Sequence, residues 1–259
     1  MADSDQFEVD LTNCDREPIH ELGAIQPFGF LLALSTDWLI RRVSANVEQF
    51  FGAPAEEMLG TSAIEPLGEH AVHTLRNRLA MLRGPDAVER VFGLRIANGR
   101  CFDFALHMVG DTIIIEGEAT SEEGSTDAGS AIRAMMARLD DTPDTAAFYR
   151  EGARQVRALT GFDRVLVYRF LDEGAGRVVA EDVAPGLSGF LHHHFPASDI
   201  PRQARALYVR NRTRVIPDAR YTPAPLRPAG HETTDLSDVA VRSVSPIHLQ
   251  YLHNMGVVA

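Results

Sequence analysis

Lysine is missing from this chain of 259 residues; all 25 basic side chains are arginine. That excludes a phosphate-loop lysine reaching toward a nucleotide, and any lysine Schiff base, a retinal one included. Cysteine is nearly missing. Cys14 and Cys101 are the only two, neither in a Cys-x-x-Cys pair, which is too few for a disulfide framework, and a reducing cytosol keeps both as thiols. No apolar run approaches the roughly 18 residues that cross a bilayer, and no charged-then-apolar leader opens the chain. Excess positive charge is missing too: a net charge of −11 argues against nucleic acid or an anionic membrane as partner. No Ser-His-Asp set, nucleophile elbow or phosphate loop stands out. The run His192-His193-His194 does not read as a metal site. Neighbours in extended chain point to opposite sides, and no acidic or cysteine partner stands at ligand spacing. These absences together give the expectation of a soluble, cytoplasmic protein, not an enzyme, with no metal, nucleic-acid or membrane partner.

What is present is ordinary in bulk and specific in detail. The length allows one large or two small domains, each with room for a core. Residues 1–18 are polar, acidic and without periodicity, and read as an arm carrying Cys14 between Asn13 and Asp15. Residues 30–34 and 38–43 read as strands around a turn at Ser35–Asp37. Pro54 and Gly60 punctuate a short helix, and Leu75, Leu79 and Leu82 stripe another. Residues 88–96, 101–109 and 112–118 then read as a meander whose hairpins are Asn98-Gly99 and Gly110-Asp111. Cys101 alternates with Asp103, Ala105 and His107 on one strand face and reads as structural. Two strands, short helices and a three-stranded meander fit a PAS domain over 19–120. The Glu-, Ser-, Gly- and Thr-rich stretch 121–130 is a linker. Beyond it, 131–139 is helical and a second helix starts at Thr142 and ends near Gly161. Strands are expected at 162–171, 177–182 and 214–216, with a surface loop over 217–237. A final helix is capped by Ser245, begun by Pro246 and ended by Gly256.

The chain is organised around Phe195-Pro-Ala-Ser-Asp-Ile-Pro-Arg, where two prolines fix φ and remove two donors. Ser198, Asp199 and Pro201 read as the start of a helix that carries Arg205, Tyr208 and Arg212 on neighbouring turns, with Arg202, Arg210 and Arg214 close by. A carboxylate and bare carbonyls thus sit beside a guanidinium cluster. Local chemistry alone also allows an ordinary capped helix with a solvated basic face. On the last helix His248 and Tyr251 share a face, which is equally compatible with a satisfied core histidine.

The string Pro-Ala-Ser-Asp-Ile-Pro resembles the signature of the chromophore-binding GAF domain of phytochromes. Ala24-Ile-Gln-Pro, residues 162–170 and the closing Arg242-Ser-Val-Ser-Pro-Ile-His-Leu-Gln-Tyr-Leu-His-Asn-Met-Gly match in the expected order. The resemblance covers nearly the whole chain and is nearest to bacteriophytochromes, whose attachment cysteine lies in the N-terminal arm. It implies an α+β chain: a PAS domain followed by a GAF domain over 131–259, each an antiparallel sheet with flanking helices. It implies a knot made by the arm passing through the 217–237 loop, an exception to the unknotted rule. It also implies a GAF domain incomplete at its C-terminus, with the PHY and histidine kinase regions outside the sequence. Phe28 departs from the family, which commonly has histidine after Gln-Pro.

The site roles come with the resemblance. It implies covalent biliverdin, joined through a thioether to Cys14, with isomerisation at the D ring sensing red and far-red light for an output module such as a histidine kinase. The carbonyl of Asp199 would accept from the pyrrole N–H groups, next to Ile200. Arg214 and Arg242, helped by Tyr208, would clamp one propionate; Ser245 and His248 would hold the other. Tyr168, Phe195 and Tyr251 would pack around the D ring. A homodimer is implied for the full-length protein. Two other readings stay open: a GAF domain for a cyclic nucleotide or other small ligand, and a PAS–GAF interaction module without chromophore.

Overall fold

The computed structural model describes residues 16–84, 87–120, 128–230 and 233–259. The chain up to Thr120 forms one compact unit together with Arg202–Ala259, and the stretch from Ser121 to Pro201 forms a second.

In the first unit, strands β1 (Ala24–Ile25), β2 (Gly29–Leu34), β3 (Ile40–Ser44), β4 (Glu89–Arg95), β5 (Cys101–Val109) and β6 (Thr112–Ala119) are joined by a late strand, β10 (Ala224–Arg227). All pairs are antiparallel, in the order β1-β10-β3-β2-β6-β5-β4. β2 lies at the middle of this sheet and is buried along its whole length, so Gly-Phe-Leu-Leu-Ala-Leu reads as an apolar run rather than an alternation. Its odd and even residues go to different cores. Phe30, Leu32 and Leu34 face a core roofed by helices α1 (Glu48–Phe51), α2 (Ala55–Met58), α3 (Ile64–Leu67) and α4 (Glu69–Leu79). Leu31 and Ala33 face the opposite side, against Leu226, Leu236, Val239 and Val241. Phe28 packs at the border of that second core. Phe30 is ringed by Phe50, Phe51, Phe102 and Phe104 at centroid distances of 4.7 to 5.9 Å. Its cross-strand partner is Gly117, where a Cβ would stand 2.3 Å from the Phe30 ring, so only glycine fits.

Two expectations about the later chain are corrected. Residues 214–216 form no strand; the Val215 carbonyl accepts instead from the Gln26 side chain at 3.0 Å. Nor is 217–237 a loop throughout. Ala224–Arg227 pairs with β3 on one side and β1 on the other, which covers an edge that β3 would otherwise expose. Residues 23–26 run between β10 and the segment 241–243. On one side Leu226 N donates to Gly23 O at 2.8 Å; on the other Gln26 N donates to Val241 O (2.7 Å) and Ser243 N to Ala24 O (3.0 Å). Residues 23–26 are thus held from both sides by later chain.

In the second unit, helices α5 (Ala128–Asp140) and α6 (Thr145–Thr160) accompany a three-stranded sheet, β7 (Arg164–Phe170), β8 (Gly176–Val183) and β9 (His194–Phe195). The cap of α6 is Asp144, not Thr142: its carboxylate accepts from Ala147 N at 2.7 Å, while the Thr142 hydroxyl donates to Leu139 O at 2.7 Å. Gly161, at φ 73°, closes α6 in the left-handed region. The organising loop makes a 3-10 turn at Ala197–Asp199. Helix α7 (Arg202–Arg210) follows it, and α8 (Pro246–Asn254) comes late in the chain; both belong to the first unit. Since α7 stops at Arg210, Arg212 and Arg214 lie beyond it. No helix is long and apolar enough to cross a membrane among the described residues.

Candidate functional site

The expected site residues fall into two groups, one in each unit, while Cys14 lies outside the described residues.

In the first unit the focus is a pair of guanidiniums. Arg242 follows directly on Val241, whose side chain is in the second core, and is itself only 6% exposed. Its Nη1 donates to the Ile19 carbonyl of the arm. Arg214 reaches the same strip of backbone: its Nη2 donates to Arg242 O at 2.7 Å and to Ser243 O at 2.8 Å. Gln26 fastens the strip as well, from its Nε2 to Arg242 O at 3.2 Å. What is left over decides the chemistry. Nη1 of Arg214 and Nε of Arg242 are shut away from water without a hydrogen-bond partner, and neither arginine forms an ion pair among the described residues. Burial, and then the charge of Arg214, pulls Arg242 down to about 9; burial also lowers Arg214. Two desolvated cations side by side, each with an unused donor, make a cradle for an anionic oxygen pair.

The rest of the group surrounds this cradle. Tyr208, on α7, is largely exposed and near enough to act electrostatically on both arginines. His248, on α8, stacks on Tyr251 with centroids 6.2 Å apart and planes at 15°. Burial and then Arg214 push its imidazole below the usual range, so it is neutral at pH 7. Ser245 occupies the N-cap position of α8 but makes no cap bond, correcting the expected capping role; its hydroxyl donates to Glu17 Oε2 at 2.6 Å. Glu17 is a buried carboxyl of the arm that sequence reading missed, because nothing local distinguishes it from the other acidic residues of that polar stretch. Tyr221 was missed too. Its hydroxyl meets Ser243 Oγ at 2.9 Å and accepts from Val244 N at 2.7 Å, which steadies the turn into α8.

In the second unit Tyr168, Phe195, Asp199 and Ile200 lie along one run of structure. The Tyr168 ring contacts Phe170 at 5.2 Å and Phe195 at 5.9 Å, and Phe195 meets Phe190 at 6.2 Å. The loop bearing Phe190 is held by Glu181, which accepts from Phe190 N (2.7 Å) and Leu191 N (3.0 Å), and Arg164 lies over the Phe190 ring at 4.1 Å. Asp199 N donates to Pro196 O at 3.2 Å, and Ile200 is half-buried between the two prolines. Tyr168 owes its place to Gly176, the cross-strand partner of Phe195: a Cβ there would stand 1.8 Å from the tyrosine Cζ. Gly176→Ala is therefore expected to expel the Tyr168 ring and cost about 1–3 kcal/mol, seen as a lower urea midpoint and a changed near-ultraviolet circular dichroism. An unchanged aromatic signal would mean the ring does not depend on this glycine. Among the described residues no group of three or more His, Cys, Asp or Glu could hold a metal ion.

Comparison with known proteins gives a consistent result. A PAS fold family model matches residues 14–120. The chain is 38% identical to cyanobacterial phytochrome B of Nostoc sp. over 98% of its own length, and 40% identical to a bacteriophytochrome of Xanthomonas campestris over 97%. It spans 35% and 40% of those two relatives' lengths. Among solved structures, the chromophore-binding domain of Stigmatella aurantiaca phytochrome P1 superposes with a TM-score of 0.84 at 41% identity, covering 95% of this chain and 84% of that one. With that identity across most of a phytochrome domain, and a fold that follows it, the chain belongs to the phytochrome family.

Proposed function

We propose that this chain is the chromophore-binding part of a red/far-red photoreceptor, a PAS domain at 19–120 and a GAF domain at 131–259 joined by the 121–130 linker, which takes up biliverdin and attaches it through Cys14. The observation that carries the reading is the pair of guanidiniums, buried Arg242 and half-buried Arg214, each with an N–H shut away from water and unused, and no ion-pair partner among the described residues. A linear tetrapyrrole has two flexible propionates, and the planar guanidinium fork suits a carboxylate. Neutral His248 can give one hydrogen bond and take another beside the same group. Ser245 gives its one O–H to Glu17, and would turn that donor to a propionate on binding. The rings of Tyr168 and Phe195 supply an apolar wall for a pyrrole ring, and Tyr251 an aromatic face stacked on His248. The stiff, donor-poor loop around Asp199 and Ile200 offers carbonyls to pyrrole N–H groups. Bound, the bilin supplies visible-light absorption and a double bond that can isomerise at its D ring. The protein's part is to desolvate, orient and wall the chromophore and to pass its change of shape onward, not to catalyse a turnover. Within the full-length protein the reading extends to a cytoplasmic homodimer that signals through an output module such as a histidine kinase.

Removing one arginine of a buried ion pair costs on the order of 3–5 kcal/mol. Arg214→Ala and Arg242→Ala are therefore each expected to weaken biliverdin uptake by about 100-fold or more, followed by the growth of red absorbance on mixing. Uptake at the parental rate in both variants would remove the clamp. Saturable binding of a cyclic nucleotide competing with biliverdin would instead favour the small-ligand reading of the same arginines.

A further inference from the structure

Arg242 is held in place from below by a residue of the PAS sheet to which the reading above assigns no role. Glu116, on β6, is 3% exposed and faces the second core. Its two carboxyl oxygens accept from consecutive backbone amides 124 and 125 positions later in sequence: Oε1 from Ala240 N at 3.1 Å and Oε2 from Val241 N at 2.9 Å. The next residue is Arg242. The Val241 carbonyl is used by Gln26 N, and the Val241 side chain comes so close to Gly29 that a Cβ there would stand 2.8 Å away. The peptide leading into Arg242 thus has its donors, acceptor and side chain all committed, with Glu116 taking both donors.

We propose that Glu116 is the positioning residue for the anion cradle: by holding the 240–241 amides it sets where the Arg242 guanidinium presents its unused N–H. The proposal rests on the assignment of Arg242 to a bilin propionate. A carboxylate can take both amides, whereas a neutral carboxyl or an amide offers one good acceptor and turns its own N–H or O–H toward a donor. Burial raises Glu116 to about 7, against the two amide bonds that favour its charged form. The grip on the loop therefore changes within the neutral range, and Arg242 should follow. The charged groups that face Glu116 are Glu118 on its own strand, Arg90 from β4 and Arg214 from the cradle. His107, fully buried on the same sheet face, is surrounded by Asp238, Asp235 and Arg210, and its imidazole is lowered by burial. His248 is lowered as well. Both imidazoles therefore titrate below their ordinary value, apart from a step near neutrality.

The test follows biliverdin uptake from pH 6 to 8.5 in the parent chain, Glu116→Gln and Arg242→Ala. The parent is expected to slow by about tenfold as the pH falls through 7, the worth of one charge-assisted hydrogen bond. Glu116→Gln should be slow and flat at every pH, while a parental profile in that variant would overturn the positioning role. Amide hydrogen exchange on the chain without bilin gives an answer even if the variant does not fold. In the parent, Ala240 and Val241 should lose protection below pH 7 relative to neighbouring core amides, and protection independent of pH would overturn the proposal. If Arg242→Ala takes up biliverdin normally while the amides respond as expected, the grip of Glu116 stands and the propionate assignment falls.

Discussion

Cys14→Ala is expected to leave no covalent chromophore at all: on a denaturing gel, zinc-induced bilin fluorescence should vanish from the protein band. Cys101→Ala should keep it. The chemistry needs no oxidant or partner enzyme. A thiol adds across a vinyl group, the sulfur–carbon bond forms, the π bond is lost and the proton ends on the neighbouring carbon. It needs only a thiolate that can reach. Cys101 opens β5, half-buried, with its Cα paired to Arg95 on β4 and its carbonyl taking Thr120 N at 3.1 Å, so a ladder on both sides fixes it. Cys14 is a different case. Glu17, three residues later in sequence, is anchored to Ser245 beside the cradle, which is what motivates the choice of Cys14 for this test. Loss of the adduct from Cys101→Ala, with Cys14→Ala still fluorescent, would reverse the two roles.

The contrast between these cysteines shows which parts of the molecule could be read in the sequence. The meander was legible because its signals are local. Asn98-Gly99 puts glycine at φ 84°, and Gly110-Asp111 joins Val109 to Thr112 in a two-residue turn, so hairpin and register are settled within a dozen residues. The ends of α6 were legible to within a few residues for the same reason. β10 was not. Ala224–Arg227 contains Pro225 and is bordered by Pro223 and Pro228, which reads as loop. It becomes a strand only because β3 and β1, some 180–200 residues earlier, present unpaired edges to it. Glu17 and Glu116 were hidden by the same distance, since a carboxylate is normally solvated and its burial is visible only when the partner amide or hydroxyl is known. The arginines fell between these cases. Arginines with no acidic neighbours look like a basic surface, and only the Pro-Ala-Ser-Asp-Ile-Pro string and the closing segment singled out Arg214 and Arg242. The structure adds that both are desolvated and form no ion pair among the described residues, which no periodicity could reveal.

That missing ion pair leads to the second large effect. In most proteins, replacing a buried arginine costs stability because its partner is left behind. Here no partner carboxylate is left behind among the described residues. With burial and Arg214 holding Arg242 well below the usual arginine range, at about 9, the folded chain carries a penalty on the order of a few kcal/mol for keeping it charged at pH 7. Arg242→Met keeps much of the side-chain volume, removes the charge and gives up the hydrogen bond to Ile19 O, worth about 1–3 kcal/mol. Without bilin, the variant should therefore be as stable as the parent or up to about 3 kcal/mol more stable in urea unfolding, while its biliverdin uptake collapses. The pH dependence has a definite sign. A lowered folded-state pKa means that above about 9 the unfolded chain holds the proton more firmly, so the parent gains stability as pH rises there. Arg242→Met lacks that gain, and the difference between the two curves isolates it. With biliverdin bound the order should invert, because the propionate supplies the counter-charge that only the parent can use. A site that weakens the empty fold in order to bind an anion is the pattern expected where function and stability oppose each other. If Arg242→Met instead loses 3 kcal/mol or more without bilin, the arginine is a structural pin for the arm through Ile19, and the cradle belongs to Arg214 alone.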